Sequence, residues 1–593
     1  MSKTIFPHTF LLPILSALAL PLLAAGSAGS AVYRDVCVIQ GSGLASPYVG
    51  DLVETRGVVT FDRDESWEMG FFIQQANCDG DPATSDALFV YTGVQENLVS
   101  VGQFVEVSGW VVEFGGMTEI SAGPEYIQVL GTAPLPPAVP FSPPWPPGAS
   151  RLYFEAREGM RISMPNTVVV GPTTVFDQTF VVAAALGVDR ILTGMPTGPI
   201  VRVDDDGLYE IAPEVRTGQT VLGLAGILDV YDGEFHVRLT APPVVVPYAA
   251  PAAPFSPPTS DLTFASLNLY NLFDTVDDPN TQDPLPDPSQ YQTKLQKLAR
   301  MISEILGEPL FIAVQEAENA AVLQALSNRP EIENQYGHVL IDGPDVRGID
   351  VGLLYRLDRV TVLSVGQRQG CTSLVDGLGP DGNLDVINPS NALTCDLDGQ
   401  PGFEGNRIFS RPPLLIRLEV CPADCSQGGP GDFYWVIPVH LKSKSQDTAI
   451  QYTLPRRLEQ AAFLNELTAE ILAADPGAAV ILIGDFNDVM GSAPIELISG
   501  SGMFNLMPGV PYPARYTYIF DGVSQALDYV FISQALASDP LNMFQALPQP
   551  FAADFPALLA DEAATPLRAS DHDPVLVVLH QFDRTFFFPF TGR

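Results

Sequence analysis

The sequence predicts an α/β layered domain in its C-terminal half, preceded by two small β-rich domains. Three observations carry this reading. Two proline-rich tracts, residues 133–150 and 241–260, divide the chain and share the string PFSPP. The block before each tract holds short β-type runs broken by glycine and contains no lysine, the pattern of a small barrel or sandwich. From Leu262 onward, apolar runs of strand length alternate with stretches of helical periodicity, as expected where strands are layered against helices. The chain has 593 residues, well beyond the roughly 250–300 at which a single core stops growing, so several domains are expected.

Residues 1–30 open with one lysine, continue in an apolar run from Thr9 to Ala25 and end in small residues. This is the form of a secretory signal cleaved near residues 28–30. Pro13 and Pro21 interrupt the run, which argues against a spanning helix, and no later segment is long and apolar enough to cross a bilayer. The mature chain is therefore expected outside the cytoplasm, extracellular or periplasmic, and free of the membrane. Six cysteines agree with an oxidising compartment. Proximity pairs Cys371 with Cys395 and Cys421 with Cys425, leaving Cys37 and Cys78. No Cys/His group has zinc spacing.

Residues 31–132 form the first β-rich domain, with hairpin connections expected at Gly102, Gly109 and Gly115-Gly116. The tract at 133–150 reads as a stiff connector. A second β-rich domain spans 151–240, and a second connector spans 241–260. In the α/β domain, residues 261–582, helical spacing places Leu295, Leu298, Ile302 and Ile305 on one face, and Leu458, Ala461, Leu464 and Ile471 on another. Strands are expected at 311–314, 435–439 and 479–483. Residues 583–593 form a tail with an apolar FFFPF.

The apolar runs stop at residues that carry chemistry: Asn268 and Asn271, Gln315-Glu316, His440, Asp485 and Asn487, Asp528, and Ser570-Asp571-His572. One polar strand end is unremarkable, but six that deliver oxygen and imidazole groups imply a common pocket. The strings SLN, QE, GDFND and SDHDP, in this order across residues 262–582, resemble the endonuclease/exonuclease/phosphatase superfamily with its DNase I-like, four-layer α/β sandwich. With a signal and β-rich modules in front, the layout is similar to secreted bacterial nucleases of the ExeM or YhcR type, whose N-terminal modules are OB-fold-like. The order of runs in residues 31–132 resembles such an OB module, and residues 151–240 resemble its partner.

The resemblance implies a metal-dependent phosphodiesterase acting on DNA, with RNA as a further substrate. Phosphodiester cleavage needs a hard cation, an activated water and stabilisation of charge on phosphorus oxygens. Glu316, Asn268 and Asp571 are the candidate ligands of Mg²⁺ or Mn²⁺, with Ca²⁺ a further candidate. His572 is the candidate base, oriented by Asp528. Asp485 would orient or activate water, Asn487 would donate to phosphate, and His440 would assist at a phosphate oxygen or the leaving group. Arg411, Lys442 and Lys444 would supply positive charge. Two positions depart from the family's pattern: IPV precedes His440 where relatives often carry asparagine, and Asp573 stands where many carry another polar residue.

Lys plus Arg number 30 against 69 Asp plus Glu, a net charge of −39. So acidic a chain repels a polyanion on average, and a nucleic-acid substrate would need a local basic cluster or bound cations. A phosphatase or sphingomyelinase-like phosphodiesterase of the same fold, and a non-enzymatic extracellular binding protein, are the alternative expectations.

Overall fold

The computed structural model describes residues 30–204, 211–231, 233–248, 253–255, 262–372, 394–396, 404–427, 431–444, 453–539 and 542–581. The expected signal, the C-terminal tail and the side chain of Cys395 lie outside them. Two compact units are present, Met1–Pro137 with Glu155–Met160, and Ala138–Phe154 with Arg161–Arg593. Among the described residues no helix is long and apolar enough to cross a membrane.

In the first unit the strands Leu52–Arg63, Gly70–Gln74, Ala87–Tyr91, Met117–Ser121 and Gln103–Phe114 follow one another in space, and the last pairs again with the first. The result is a closed ring of five, with one parallel pair, Ala87–Tyr91 beside Met117–Ser121. Closure removes the exposed edges that a small sheet would otherwise carry. Val53, Val59, Phe71, Ile73, Val105, Val107 and Ile120 fill the interior. The Cys37–Cys78 disulfide ties the short helix Val36–Gln40 to the barrel.

The same topology recurs in the second unit. There the strands Arg161–Gly171, Thr179–Ala183, Val201–Asp204, Glu234–Leu239 and Thr220–Tyr231 close in the same order, with the parallel pair again between third and fifth. A short strand before each barrel pairs parallel with its first long strand, Val32–Tyr33 in one and Val139–Pro140 in the other. The glycine-punctuated runs of the sequence thus become two copies of one architecture.

The rest of the second unit is built on two six-stranded sheets. One runs Tyr336–Leu340, Asp350–Arg356, Phe311–Ala317, Leu262–Leu272, Val575–Gln581, Asn542–Pro548; the other runs Val360–Gln367, Leu414–Val420, Asp432–His440, Ala479–Asp485, Asp528–Ser533, Met503–Asn505. Alternation along each strand divides its side chains between two faces. Phe264, Phe311 and Ala313 pack against Ile416, Val436 and Ile481 of the opposing sheet. Their neighbours Ala265, Leu267, Ile312 and Val314 pack instead against Leu295, Leu298 and Ile302. These last three belong to the helix Pro288–Arg300 and its continuation Met301–Ile305, close to the expected helix. The helix starts where Asp287 caps it, in a reciprocal box with Gln290. The helix Leu454–Ala474 covers the second sheet through Ala461, Leu464 and Ile471.

One buried acid in the first unit gives a test. Glu158 accepts from Gln40 (3.1 Å) and the Thr118 amide (2.9 Å), while its second oxygen is buried without a partner among the described residues. Burial pushes it up to about 8, against those two hydrogen bonds. The folded unit therefore keeps a proton that the unfolded chain releases above its ordinary value of 4.5, and stability falls as pH rises from there to about 8. Denaturant midpoints measured across this window should decline in the native protein, and Glu158→Gln should make the decline shallower. An unchanged slope would contradict the assignment.

Candidate active site

All the chemistry-bearing strand ends meet at one edge of the sandwich, and register explains why. Leu262–Leu272 runs parallel to Phe311–Ala317, and Val575–Gln581 runs antiparallel to it, so the C-terminal ends of two strands meet the N-terminal end of a third. In the second sheet His440 lies beside Asp485 in a parallel pair, and Asp485 lies opposite Asp528 in an antiparallel one. Arg411 precedes the antiparallel strand Leu414–Val420 at the same edge.

Asp485 is the centre of this cluster. Its Oδ2 lies 3.1 Å from Asn487 Nδ2, 3.4 Å from Asn268 Nδ2, 3.5 Å from His440 Nε2 and 3.9 Å from His572 Nε2. Its Oδ1 accepts from the Asn487 amide at 2.8 Å. Burial pushes the carboxyl up to about 7; Asp528 and Glu316 add to this and His572 opposes it.

His572 Nδ1 is 2.7 Å from Asp528 Oδ2, the pair expected from sequence. Burial alone would lower this imidazole, but the Asp528 and Asp485 carboxylates outweigh it and hold the residue well above the ordinary histidine value. Thr517 fixes both partners: its Oγ1 accepts from the Leu527 and Asp528 amides, and its carbonyl accepts from the Asp573 amide at 2.7 Å. The Tyr518 ring covers the imidazole at 4.7 Å. His440 behaves oppositely. Burial, followed by Arg411 and Arg347, holds it well below the ordinary value, and its Nδ1 is buried without a hydrogen bond among the described residues.

Glu316 reaches the cluster through a backbone irregularity. Simple alternation after Ile312 and Val314 would send it to the helix-packed face. Instead the register shifts between Val314 and Ala317, and Glu316 adopts a φ of 62°. Its Oε1 then lies 3.3 Å from Asn268 Nδ2 and 3.8 Å from His440 Nε2, and its Oε2 accepts from the Asn271 amide at 2.9 Å. Tyr270, Asn271, Asn487 and Arg568 also have positive φ. Left-handed backbone at non-glycine residues costs energy and concentrates at functional sites.

The structure brings Asn268, Glu316, His440, Asp485, Asn487, Asp528 and His572 together. Asp571 lines a cleft with Tyr270, Tyr518 and Arg568, and its carboxylate makes no hydrogen bond or ion pair among the described residues. Asn487 gives its side-chain amide to Asp485 and, at 3.1 Å, to the Leu441 carbonyl, so it braces the loop. Arg411 is buried likewise, donating to the same carbonyl at 3.0 Å and facing Asp345 at 3.4 Å. Lys442 lies near Arg411 and Arg347, and burial together with those cations pushes it down to about 8. Lys444 donates to Gln525 at 3.0 Å. A positive cluster therefore exists beside His440 within an acidic chain.

Sequence reasoning missed Thr517, Tyr518, Tyr270 and Arg347, and also two lysines. Lys297 Nζ is buried and donates to the carbonyls of Glu562, Thr565 and Leu567 at 3.1, 2.9 and 2.6 Å. Lys294 Nζ donates to the Ala569 carbonyl at 2.8 Å and sits 4.7 Å from the Tyr270 ring centre. One helix thereby holds the segment leading to Ser570-Asp571-His572. The spacing of Lys294 and Lys297 beside the apolar face was the available signal, but their partners lie some 270 residues away.

The donor set of Glu316, Asp485 and Asn268, acid and amide without thiolate, fits a hard divalent cation. Asp485, Asp528 and His572 also place ligating atoms within 4.8 Å of one another.

Residues 263–373 match the profile of the Endonuclease/Exonuclease/phosphatase family. Enzymes of this superfamily hydrolyse phosphodiesters or phosphate esters and are typically divalent-metal dependent. Similar solved structures include the endonuclease/exonuclease/phosphatase of Bacteroides vulgatus, 16% identical over 55% of this chain and 100% of that chain, with a TM-score of 0.33. D. rerio TDP2 complexed with single strand DNA product is 17% identical over 54% and 100% of the two chains, with a TM-score of 0.34. The mannosyl-6-phosphatase of Bacteroides thetaiotaomicron is 16% identical over 54% and 99%, with a TM-score of 0.31. The comparison with curated proteins gives no match.

The opposite electrostatics of the two histidines are directly measurable. In a nitrogen-15 NMR titration of the metal-free protein, His572 should remain an imidazolium above the ordinary histidine value of 6.5, and His440 should stay neutral below it. Asp528→Asn should move His572 downward. Two histidines titrating together near the ordinary value would contradict the geometry.

Proposed function

We propose that this protein is a secreted, metal-dependent phosphodiesterase that hydrolyses extracellular nucleic acid, DNA and also RNA. The observation that carries the reading is the 2.7 Å contact between His572 and Asp528 beside the buried Asp485. It pairs an oriented imidazole with carboxylates where a reacting water would be handled.

Glu316 and Asn268, with Asp571 as a further ligand, would hold Mg²⁺ or Mn²⁺, with Ca²⁺ a further candidate; the cation supplies Lewis acidity to a phosphoryl oxygen. In its neutral form, favoured over the imidazolium once a bound cation offsets the Asp485 and Asp528 carboxylates, His572 would receive the proton of the attacking water, and Asp528 holds the ring so that Nε2 faces the cluster. Asp485 orients that water, and Asn487 fixes Asp485. His440, kept neutral by burial and nearby cations, faces a phosphate oxygen or the leaving group. The positive group of Arg347, Arg411 and Lys442 offsets the acidic chain where the phosphate approaches.

The ring order of both barrels, first-second-third-fifth-fourth and back to the first, supports an OB-like reading of the N-terminal modules, a form suited to single-stranded nucleic acid. The signal-like first 30 residues and the disulfides Cys37–Cys78 and Cys421–Cys425 support secretion.

The test is incubation of the purified protein with plasmid DNA, RNA, sphingomyelin and bis(4-nitrophenyl) phosphate, each with Mg²⁺, Mn²⁺, Ca²⁺ or chelator. Cleavage of nucleic acid and of the small diester should require Mg²⁺ or Mn²⁺ and stop with chelator, and His572→Ala should lower kcat by ~10²-fold or more. Absence of cleavage with any metal would overturn the enzymatic reading, and cleavage of the lipid alone would overturn nucleic acid as substrate.

A further inference from the structure

The second barrel is joined to the catalytic edge by a specific set of contacts. Arg190 Nη2 lies 2.7 and 2.9 Å from the two carboxylate oxygens of Asp554, its Nη1 donates to Ser524 Oγ at 2.8 Å, and the guanidinium lies 3.7 Å from the Tyr516 ring centre. The short strand Ile191–Leu192, which lies in sequence between the second and third strands of the barrel, pairs in parallel with Val523 and Ser524. Backbone bonds run from Thr217 to Asp554 and from Ala557 to Thr173, both 2.9 Å. Gly171 and Gly522 approach so closely that a Cβ on Gly171 would lie 2.9 Å from the Gly522 Cα. A charge-assisted hydrogen bond that is largely buried is a strong one.

This docking creates a cleft of about 290 Å³ beside the catalytic histidine. One wall is the barrel loop 172–178, and the other includes Tyr270, Tyr518, Arg568 and Asp571 of the α/β domain. At the loop tip Val175 and Phe176 are 65% and 64% exposed. The tip is ordered by Thr174, whose Oγ1 accepts from the Phe176 and Gln178 amides and whose own amide donates to the Gln178 carbonyl at 2.9 Å. A large aromatic side chain is thus held out of any core and presented to a cleft that shares Tyr518 with His572. The Arg568 guanidinium, on a residue with a φ of 58°, makes no hydrogen bond or ion pair among the described residues.

We propose that this cleft is a binding site for one unpaired nucleotide next to the scissile phosphate, its base against Phe176 and its phosphate on Arg568. The proposal rests on the phosphodiesterase reading for its polarity and deepens it: the substrate is engaged as single strand. The size decides between forms of nucleic acid. About 290 Å³ lies at the lower bound of ligand pockets, roughly 300–1,000 Å³, which suits one nucleotide and not a duplex. Aromatic faces are available only to a base that has left its stack. Arg568 supplies the positive charge that a phosphate needs beside Asp571. The second barrel thereby contributes a wall of the site, and its role is specificity.

The test separates this site from catalysis by reading binding with chelator present, through the fluorescence anisotropy of a labelled ten-residue oligothymidylate and of a duplex of equal length. The native protein should bind the single strand at least about tenfold more tightly than the duplex. Phe176→Ala should weaken single-strand binding about fivefold or more, in keeping with the loss of one stacked base. Phe176→Trp should restore it, and Arg568→Gln should reduce the salt dependence. Equal binding of single strand by native protein and Phe176→Ala, or equal binding of single strand and duplex, would overturn the cleft. If these binding effects appear but no diester is cleaved with any metal, the cleft stands and the phosphodiesterase reading falls. If diesters are cleaved with binding unaffected, the reverse holds.

Discussion

Two backbone registers determine the site: His440 beside Asp485, and Asp485 opposite Asp528. Strand pairing moves in whole residues, and a slip of one would turn every side chain of a strand to its other face. The apolar residues of these strands are buried on both faces between the opposing sheet and the helices, so such a slip would expose core and bury charge. The packing of the sandwich therefore fixes three of the candidate site groups without any contact made for chemistry. His572 and Asn268 follow from the same logic in the other sheet, where Ser266 pairs with Val575.

What packing provides in position it demands in charge. Asp485, Asp528 and His572 are all buried, and ionised groups there require opposite charge or hydrogen bonds. The cluster supplies both, through the imidazole of His572, the amides of Asn268 and Asn487, and Arg411 behind the Leu441 carbonyl. The two histidines differ because their neighbours differ: carboxylates surround His572, and cations stand near His440. Positive backbone angles at Tyr270, Asn271, Glu316 and Asn487 are the conformational cost of bringing the remaining groups inward, borne by a core large enough to hold them.

Much of this was legible in the chain. Runs ending in QE, VH and GD, and one beginning just after SDH, marked the strand ends, and helical spacing at Leu295, Leu298 and Ile302 marked the covering helix. The Asp528–His572 contact followed from the expected site, and the two β-rich blocks emerge as barrels. Other features were out of reach because they depend on contacts between distant segments. The inward turn of Glu316 contradicts simple alternation and comes from a bulge. The spacing of Lys294 and Lys297 beside the apolar face was visible, but the carbonyls they hold lie in a distant segment of the chain. Arg411 and Asn487 have the expected residue types, but the structure commits their donors to the Leu441 carbonyl. The cleft under Phe176 is framed by contacts between distant segments, among them Arg190 with Asp554, 364 residues away.

The central claim is that Asp528 acts through His572, as one unit assembled by register. A double-mutant cycle on kcat for bis(4-nitrophenyl) phosphate, with Asp528→Asn, His572→Ala and the combined variant, tests it most directly. If the carboxylate works only by orienting and charging the imidazole, the combined variant loses no more activity than His572→Ala alone. Losses that multiply would show two independent contributions and contradict the account.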